Sequence, residues 1–439
     1  VSGGHSREIL NDEMYRWLEG YQSGTSQDTP YRVWSGCYSA IAAANQALEV
    51  IAEVADPQKF AAQKGEALVC RAFNHFILVN IFSEHYNPAT ANTQLGIPYN
   101  TEAEKVAVKY YKRHTVAEVY ELIEKDLTEG MALIDDNVYA VPKYHFTKAT
   151  AHAFAARYYL YVGNWDKALE HANAALGTNV SSISNKLLPL DGPVFMAPVS
   201  SADYEVRYRR IDQPDILLLV SCTSSWGRDH VSSSLRYSMV KDQSDLYTTV
   251  NVTGSSSLYY RRWSVSASGA YSLHKYDDLF KYSSPGATTG TSYTVGALFT
   301  IEDVLFMRAE AYVMKEKINE ALSDINLFLS RRVIAGISVD LAAIKKFYDG
   351  KPKYPDLKPF YEIQEEDQMS MLKCIVDWRR IEFMQEGLRW FDIKRFHLEV
   401  VHTFPYTGGD PITLTADDPR RALQIPMEAQ AYGIEPNPR

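Results

Sequence analysis

The sequence predicts a mainly α-helical protein, an α–α superhelix of paired helices with a loop-rich irregular subdomain set among them. Three observations predict it. Apolar residues recur three and four positions apart over several long stretches, which places them on one helix face. Two of those stretches superpose: aligning Ala168 with Ala321 brings Ala156 onto Ala309, Tyr159 onto Tyr312, Leu169 onto Leu322 and Leu176 onto Leu329. Between them, residues 221–300 hold eighteen serines and no sustained helical period, a stretch far longer than the ~12–15 residues of a plain connection.

The superposed pairs share a small residue in the first helix, a tyrosine three positions on, and Ala-Leu at the opening of the second. Small residues let paired helices approach closely, and the pattern resembles the tetratricopeptide helix–turn–helix, whose period is about 34 residues. Two copies do not make a solenoid, so the pairs at 31–82 and 115–162 are expected to supply degenerate partners.

The elements follow in order. Residues 1–34 are polar and aromatic (Tyr15, Trp17, Tyr21, Tyr31, Trp34) and read as a short arm with a turn at Ser26–Pro30. From Tyr31 to Val54, Ile41, Ala44, Leu48 and Ile51 mark one helix face. Asp56-Pro57 caps the next helix, expected to run to Phe82. Residues 83–113 contain Asn87-Pro88, Gly96 and Pro98 and read as a loop. Thr115 with Glu118 three residues later forms a capping box for a further helix. Thr147 caps a helix over 148–162, Gly163–Asp166 is a turn, and another helix runs over 167–176. After the irregular stretch, helices are expected at 301–314, 317–331 and 367–387, with a shorter piece to Phe396 and a Pro/Gly-rich tail lying over the surface.

Composition narrows the function. The 439 residues carry 45 basic and 54 acidic side chains, a net charge of −9. A general nucleic-acid or anionic-membrane binder would show a basic excess instead. No apolar run approaches the ~18–20 residues of a membrane span. Thirty tyrosines and seven tryptophans stand out; these side chains suit surfaces that are partly apolar and partly wet. The four cysteines are far apart and make no CxxC pair. Cys37, Cys70 and Cys374 read as small packing residues. Catalytic motifs are missing: no HExxH, no P-loop, no GxSxG, and no GxGxxG after a strand. The histidines lack zinc-ligand spacing, and His75 and His152 read as satisfied packing residues. No enzyme, cofactor or metal is expected. The charge-dense run Arg379, Arg380, Glu382, Glu386, Arg389 and Asp392 reads as an ion-paired helix end with Trp390 and Phe391 in the core.

Several segments in order resemble one family. They are Gly65-Glu-Ala-Leu-Val-Cys-Arg-Ala-Phe73 through Asn80-Ile-Phe82 with Gly96-Ile-Pro-Tyr99; Arg113-His-Thr-Val-Ala-Glu-Val-Tyr120 with Asp126-Leu127; Thr147-Lys148 through Arg157-Tyr-Tyr-Leu-Tyr161 and Gly163-Asn-Trp-Asp-Lys-Ala168; Glu302-Asp-Val-Leu305 through Arg308-Ala-Glu-Ala311; Arg379-Arg-Ile-Glu382, Glu386-Gly387 and Arg389-Trp-Phe-Asp392; and Asp418-Pro-Arg420, Ile425-Pro426 and Asn437-Pro438. Together these resemble the SusD/RagB family of outer-membrane nutrient-binding lipoproteins from Bacteroidetes. Two departures are visible. Phe82 is followed by Ser83-Glu84 where the family often has Gly-Asp, and the first cysteine, Cys37, lies inside helical pattern, so a lipid anchor is implied by the resemblance alone.

The resemblance implies non-catalytic capture of an oligosaccharide or polysaccharide at the cell surface and its delivery to a SusC-like TonB-dependent outer-membrane transporter. A peptide-binding member of the same family and a protein-interaction scaffold without a small ligand are the alternatives. Three parts are expected: a helical part over 1–177, a loop-rich ligand-binding region over 178–300, and a helical pair, charged helix and tail over 301–439, all in one SusD-like unit. Sugars have apolar C–H faces and polar rims, so a site for them combines flat rings with amide, hydroxyl or guanidinium groups. On that chemistry the candidate ligand-binding residues are Tyr86 and Asn87, Trp226 and Arg228, and Tyr259 and Trp263.

Overall fold

Local capping starts the helices where the sequence places them. Thr29 accepts the Arg32 N–H at 3.3 Å, and Pro30 fills the first helical position of α2 (Pro30–Glu53). It follows a short α1 (Ser6–Tyr15). Thr115 accepts the Glu118 N–H while the Glu118 carboxylate accepts the Thr115 N–H at 2.8 Å, the two halves of the box that opens α4 (Val116–Met131). Thr147 caps α5 (Lys148–Tyr161) by accepting the Thr150 N–H at 3.2 Å. Some boundaries differ: the helix expected from Pro57 begins as a 3₁₀ turn, Pro57–Phe60, and becomes α3 only over Ala61–Phe82, the helix expected over 167–176 already starts at Trp165, and the one expected over 367–387 ends at Glu382.

The computed structural model describes residues 6–21, 24, 26–106, 109–227, 244–264, 271–334, 336–404 and 409–439. The chain is mainly helical, as the sequence predicts. It divides into two units, Val1–Val162 with Glu399–Arg439, and Gly163–Leu398.

In the first unit α3 is the central helix. It packs on α2 and α4 and buries a broad face, with Leu68, Ala72, Phe76 and Val79 along its middle, while Glu66, Cys70, Asn74 and Ile77 on the other side are half-buried. Gly65 makes the crossing with α4 possible. A Cβ there would sit 2.7 Å from the Gly130 carbonyl oxygen and 2.9 Å from the Leu133 Cβ, and a Cβ on Gly130 would meet the Gly65 oxygen at 2.7 Å. The two backbones touch, so Gly65→Ala is expected to push the helices apart and cost about 1–3 kcal/mol. Gly36→Ala, on α2 with open space around it, is the control and is expected to gain about 0.5–1 kcal/mol from helix propensity. Urea midpoints compare the two.

The C-terminal tail is more than a surface tail. It forms a hairpin of β6 (Val400–His402) and β7 (Ile412–Leu414), and the His402 ring stacks between Tyr15 at 4.1 Å and Trp17 at 4.2 Å. Leu423 then donates to the Ile81 carbonyl at 2.9 Å. Asn437 donates to the Phe82 carbonyl, also at 2.9 Å. Ile425 is fully buried. The tail is a strap over the end of α3, and it carries the short α15 (Met427–Ala431).

The second unit opens with α6 (Trp165–Leu176). Among its described residues, the stretch read as irregular contains the short helices α7 (Val180–Lys186), α8 (Pro193–Met196) and α9 (Ser201–Tyr208). It also holds the strands β1 (Ile216–Cys222), β2 (Trp263–Ser264), β3 (Tyr271–Ser272), β4 (Leu279–Tyr282) and β5 (Gly290–Thr300). β1, β5 and β4 form an antiparallel sheet in that order, and β2 pairs with β3. Then come α10 (Ile301–Met314), α11 (Ile318–Leu329), α12 (Leu341–Tyr348), which periodicity did not reveal, α13 (Glu366–Glu382) and α14 (Leu388–Arg395). α10 and α11 pack on each other, and Ala309 and Ala321, the small residues of the repeat, are both buried. Arg308 ties that pair to α6: it holds Asp324 through both oxygens at 2.8 and 2.6 Å, and reaches Asn173 and the Gly177 carbonyl.

The charged run at 379–392 is a buried ion network. Arg379 bonds Asp303 at 2.9 Å and Asp392 at 3.0 Å, and Arg395 bonds Glu310 at 2.7 Å and Asp392 at 3.0 Å. Burial opposes ionisation of Asp392, but the surrounding arginines outweigh it and hold its carboxyl below the usual range. Glu382 turns instead to Arg332, which is fully buried. Trp390 and Phe391 are only half-buried. They are not core residues, because the carboxylates and guanidinium groups occupy the space under α14.

Candidate functional site

The sequence on one face of α2 alternates large rings with hydroxyls: Tyr31, Trp34, Ser35, Tyr38 and Ser39. Spacings of three and four put them on the same side of the helix. There they form the floor of a cleft of about 360 Å³, within the first unit. Trp34 is held edge-on against Phe82 at 5.0 Å and tilted against Tyr38 at 4.9 Å. The second wall is the loop from Pro98 to Glu104 with Tyr111, and the third comes from the C-terminal strap through Glu428 and Tyr432.

Hydrogen bonds fix the loop wall. The Tyr38 hydroxyl donates to the Pro98 carbonyl at 2.8 Å, and burial pushes that hydroxyl above its ordinary range. Asn45 donates to the Asn100 and Glu102 carbonyls, each at 3.1 Å. Its own side-chain oxygen accepts from Arg71 at 2.9 Å. Arg71, buried, also grips Asp126 through two bonds of 2.6 and 2.7 Å and reaches the Thr101 carbonyl at 3.2 Å. Tyr99 donates to the same Asp126 at 2.6 Å. One bidentate ion pair below the surface thus positions the amide that holds the loop.

His75 completes this support as the sequence predicts. Its Nδ1 donates to the Arg71 carbonyl at 2.9 Å and its Nε2 accepts the Asn100 N–H at 3.1 Å. The ring stacks on Tyr99 at 3.7 Å. Burial pushes its pKa down to about 3, so it stays neutral with both nitrogens engaged. On the far side, Arg113 donates to the Gly96 and Leu95 carbonyls and to Glu435 and Asn437, which fastens the strap that carries Tyr432.

The rim is polar. The Glu104 carboxylate accepts from the Tyr111 hydroxyl at 2.7 Å, and Glu102 pairs with Lys109 at 3.2 Å. Among the described residues, no group of three or more His, Cys, Asp or Glu is placed to hold a metal ion. The cysteines are unbridged, and burial pushes the Cys37 and Cys70 thiols up to about 12. The cleft can bind a small ligand by ring contact and hydrogen bonding.

Two family models match the chain. One, described as "Starch-binding associating with outer membrane", covers residues 5–160, and the other, described as the SusD family, covers residues 223–433. The chain belongs to the SusD/RagB family. Among curated relatives it is 22% identical to SusD-like protein P38 of Formosa agariphila, over 87% of this chain and 75% of that protein. Among solved structures, a SusD superfamily protein from Bacteroides thetaiotaomicron superposes with a TM-score of 0.65 at 18% identity, covering 99% of both chains. A protein described as a laminarin-binding SusD-like protein superposes with a TM-score of 0.55 at 17% identity, over 93% of this chain and 86% of that one. The shared feature is the fold.

In this SusD-like fold the residues predicted from loop chemistry are divided between the two units. Tyr86 and Asn87 lie in the first unit but do not line the cleft. Tyr86 is half-buried, with its ring 4.8 Å from Tyr120, and the Asn87 side chain accepts the Ala89 N–H in a turn. The other four belong to the second unit. Trp226 is half-buried and its N–H bonds Ser224 at 3.0 Å. Arg228 lies outside the described residues. Tyr259 follows the bridge of Leu258 to Val333 and donates its N–H to the Arg332 carbonyl. Trp263 packs against Tyr204 at 4.7 Å and His274 at 5.0 Å. The rings of Tyr86 and Trp263 each have aromatic neighbours that use part of their surface. The cleft rings were visible as an aromatic stripe beside the apolar face of α2. The other two walls, some sixty and four hundred residues away along the chain, gave no local signal that they would meet it.

Proposed function

We propose that this chain captures an oligosaccharide without catalysing a reaction on it, at the outer-membrane surface, and delivers it to a TonB-dependent transporter. The observation that supports this reading is the cleft itself. Flat rings from Tyr31, Trp34 and Tyr432 stand beside the amides and carboxylates of Asn100, Glu102 and Glu428. Rings match the C–H faces of a sugar and the polar groups match its hydroxyls. At about 360 Å³ the cleft falls in the range of roughly 300–1,000 Å³ typical of small-ligand sites. Family membership, with a starch-binding description on the N-terminal model and a laminarin-binding structural neighbour, points to the same ligand class. Among the described residues no helix is long and apolar enough to cross a membrane, so attachment would rest on a lipid anchor or on the transporter.

Retardation in native gels cast with a panel of polysaccharides tests the reading. One glycan is expected to slow the protein. Tyr31→Ala and Tyr432→Ala are each expected to weaken that binding roughly five- to tenfold. Tyr432 is 55% exposed, so its truncation leaves the fold intact. Retardation that survives both changes but is lost in Trp226→Ala would move the site to the second unit. Retardation by no glycan would sink the reading.

A further inference from the structure

The charge around the cleft has one sign. Among the described residues, three carboxylates line it, Glu102, Glu104 and Glu428, and no lysine, arginine or histidine does. The nearby cations are occupied or set back. Lys109 pairs with Glu102. Arg113 is held by backbone carbonyls and Asn437, neutral partners that leave its charge in place, but it does not line the cleft. Arg32 lies over the Tyr31 ring at 5.8 Å and is exposed. Glu104 has the Tyr111 hydroxyl, a neutral partner that leaves its charge in place. Glu428 is half-buried and makes no hydrogen bond or ion pair among the described residues.

An unpaired carboxylate on a half-buried rim beside electron-rich rings is an arrangement for a cation. The ring faces attract a positive charge, and the carboxylates add Coulomb attraction that a partly desolvated cleft screens less than open water does. The same groups repel an anion. We propose that the cleft selects glycans bearing a protonated amine, such as deacetylated amino-sugar oligomers, and rejects uronate and sulfated ones. This rests on the carbohydrate reading and specifies the charge class of the ligand at the same site.

Calorimetric titration of the whole chain at pH 5.5 and low salt tests it. The probes are chitosan hexaose, its fully N-acetylated counterpart, a neutral glucan hexaose and an alginate hexaose. The deacetylated oligomer is expected to bind roughly three- to fivefold more tightly than the acetylated one for each amine held at the rim, and its advantage is expected to fall as salt is raised. Glu428→Gln is expected to remove that advantage, so that the deacetylated and acetylated oligomers bind the variant with equal affinity. Alginate is expected not to bind. Equal affinity for the two amino-sugar oligomers, or binding of alginate, overturns the charge selection and leaves carbohydrate capture standing. Binding of none of the four, together with Glu428-dependent binding of a lysine-rich peptide, overturns carbohydrate capture and the glycan selection with it.

Discussion

Arg332→Met is expected to destabilise the second unit by about 3–5 kcal/mol, the cost of breaking a buried ion pair by removing one partner. Arg332 is fully buried at the end of α11. Its guanidinium meets Glu382 at 2.8 and 3.0 Å, Glu302 at 2.7 Å and the Leu188 carbonyl at 2.9 Å. Methionine fills much of the volume but leaves two carboxylates in the interior, with Lys275 satisfying only Glu386 and the Glu382 main chain. The sign of the pH dependence follows. In the native protein burial opposes ionisation of Glu382, but Arg332 outweighs it and holds the carboxyl below its ordinary 4.5. Without Arg332, only Lys275 and the Tyr260 hydroxyl oppose burial at Glu382, so its carboxyl rises, and Glu302, which burial already holds above its ordinary value, rises further. A raised folded-state pKa stabilises below the unfolded value and loses that contribution as pH rises. The deficit is therefore expected to be largest at neutral pH and to shrink on acidification toward 4.5. Urea unfolding at several pH values measures it. A deficit that is flat with pH would mean that the lost packing, not the uncompensated charge, carries the cost.

Arg71→Leu is expected to lose both stability and ligand binding in the first unit. The stability loss is again about 3–5 kcal/mol, because Asp126 is left buried without its cation. Binding should fall for a separate reason. Arg71 holds the side-chain oxygen of Asn45 and the Thr101 carbonyl, and Asn45 in turn holds the loop wall of the cleft. With the guanidinium gone, Asn45 is free to rotate and the wall carrying Glu102 and Glu104 loses its register. Asn45→Ala separates the two effects: it should cost little more than about 1–3 kcal/mol in stability while reducing glycan retardation as far as Arg71→Leu does. Unchanged retardation in Asn45→Ala would show that the loop holds its place through Tyr38 and His75 alone.

The helices were legible because their signals are local. Thr115 and Glu118, or Thr147 and Thr150, are three residues apart, and a cap is satisfied or not within one turn. The apolar stripe of Ile41, Ala44 and Ile51 needs nothing but helical spacing to be read, and all three are buried. The alanines of the α10–α11 pair were read from their repeat, and both are buried. The short helices α7, α8, α9 and α12 span four to eight residues, too few turns to show a period.

The candidate site was only half legible. Composition announced the aromatics, and chemistry pointed to loop rings, yet the cleft is floored by a helix. Tyr31, Trp34 and Tyr38 look like any amphipathic helix edge until the 98–111 loop and the 428–434 strap close on them. The sequence alone determined the helical class, the caps, the repeat, and the family to which its ordered motifs belong. The tertiary structure alone decided which carboxylates Arg332 and Arg71 neutralise, and which rings share a cavity. Those partners lie 30 to 55 residues apart in the ion pairs and nearly the length of the chain apart in the cleft. Charge pairing and cavity formation depend on distance in space, and for such partners sequence separation carries no information about it.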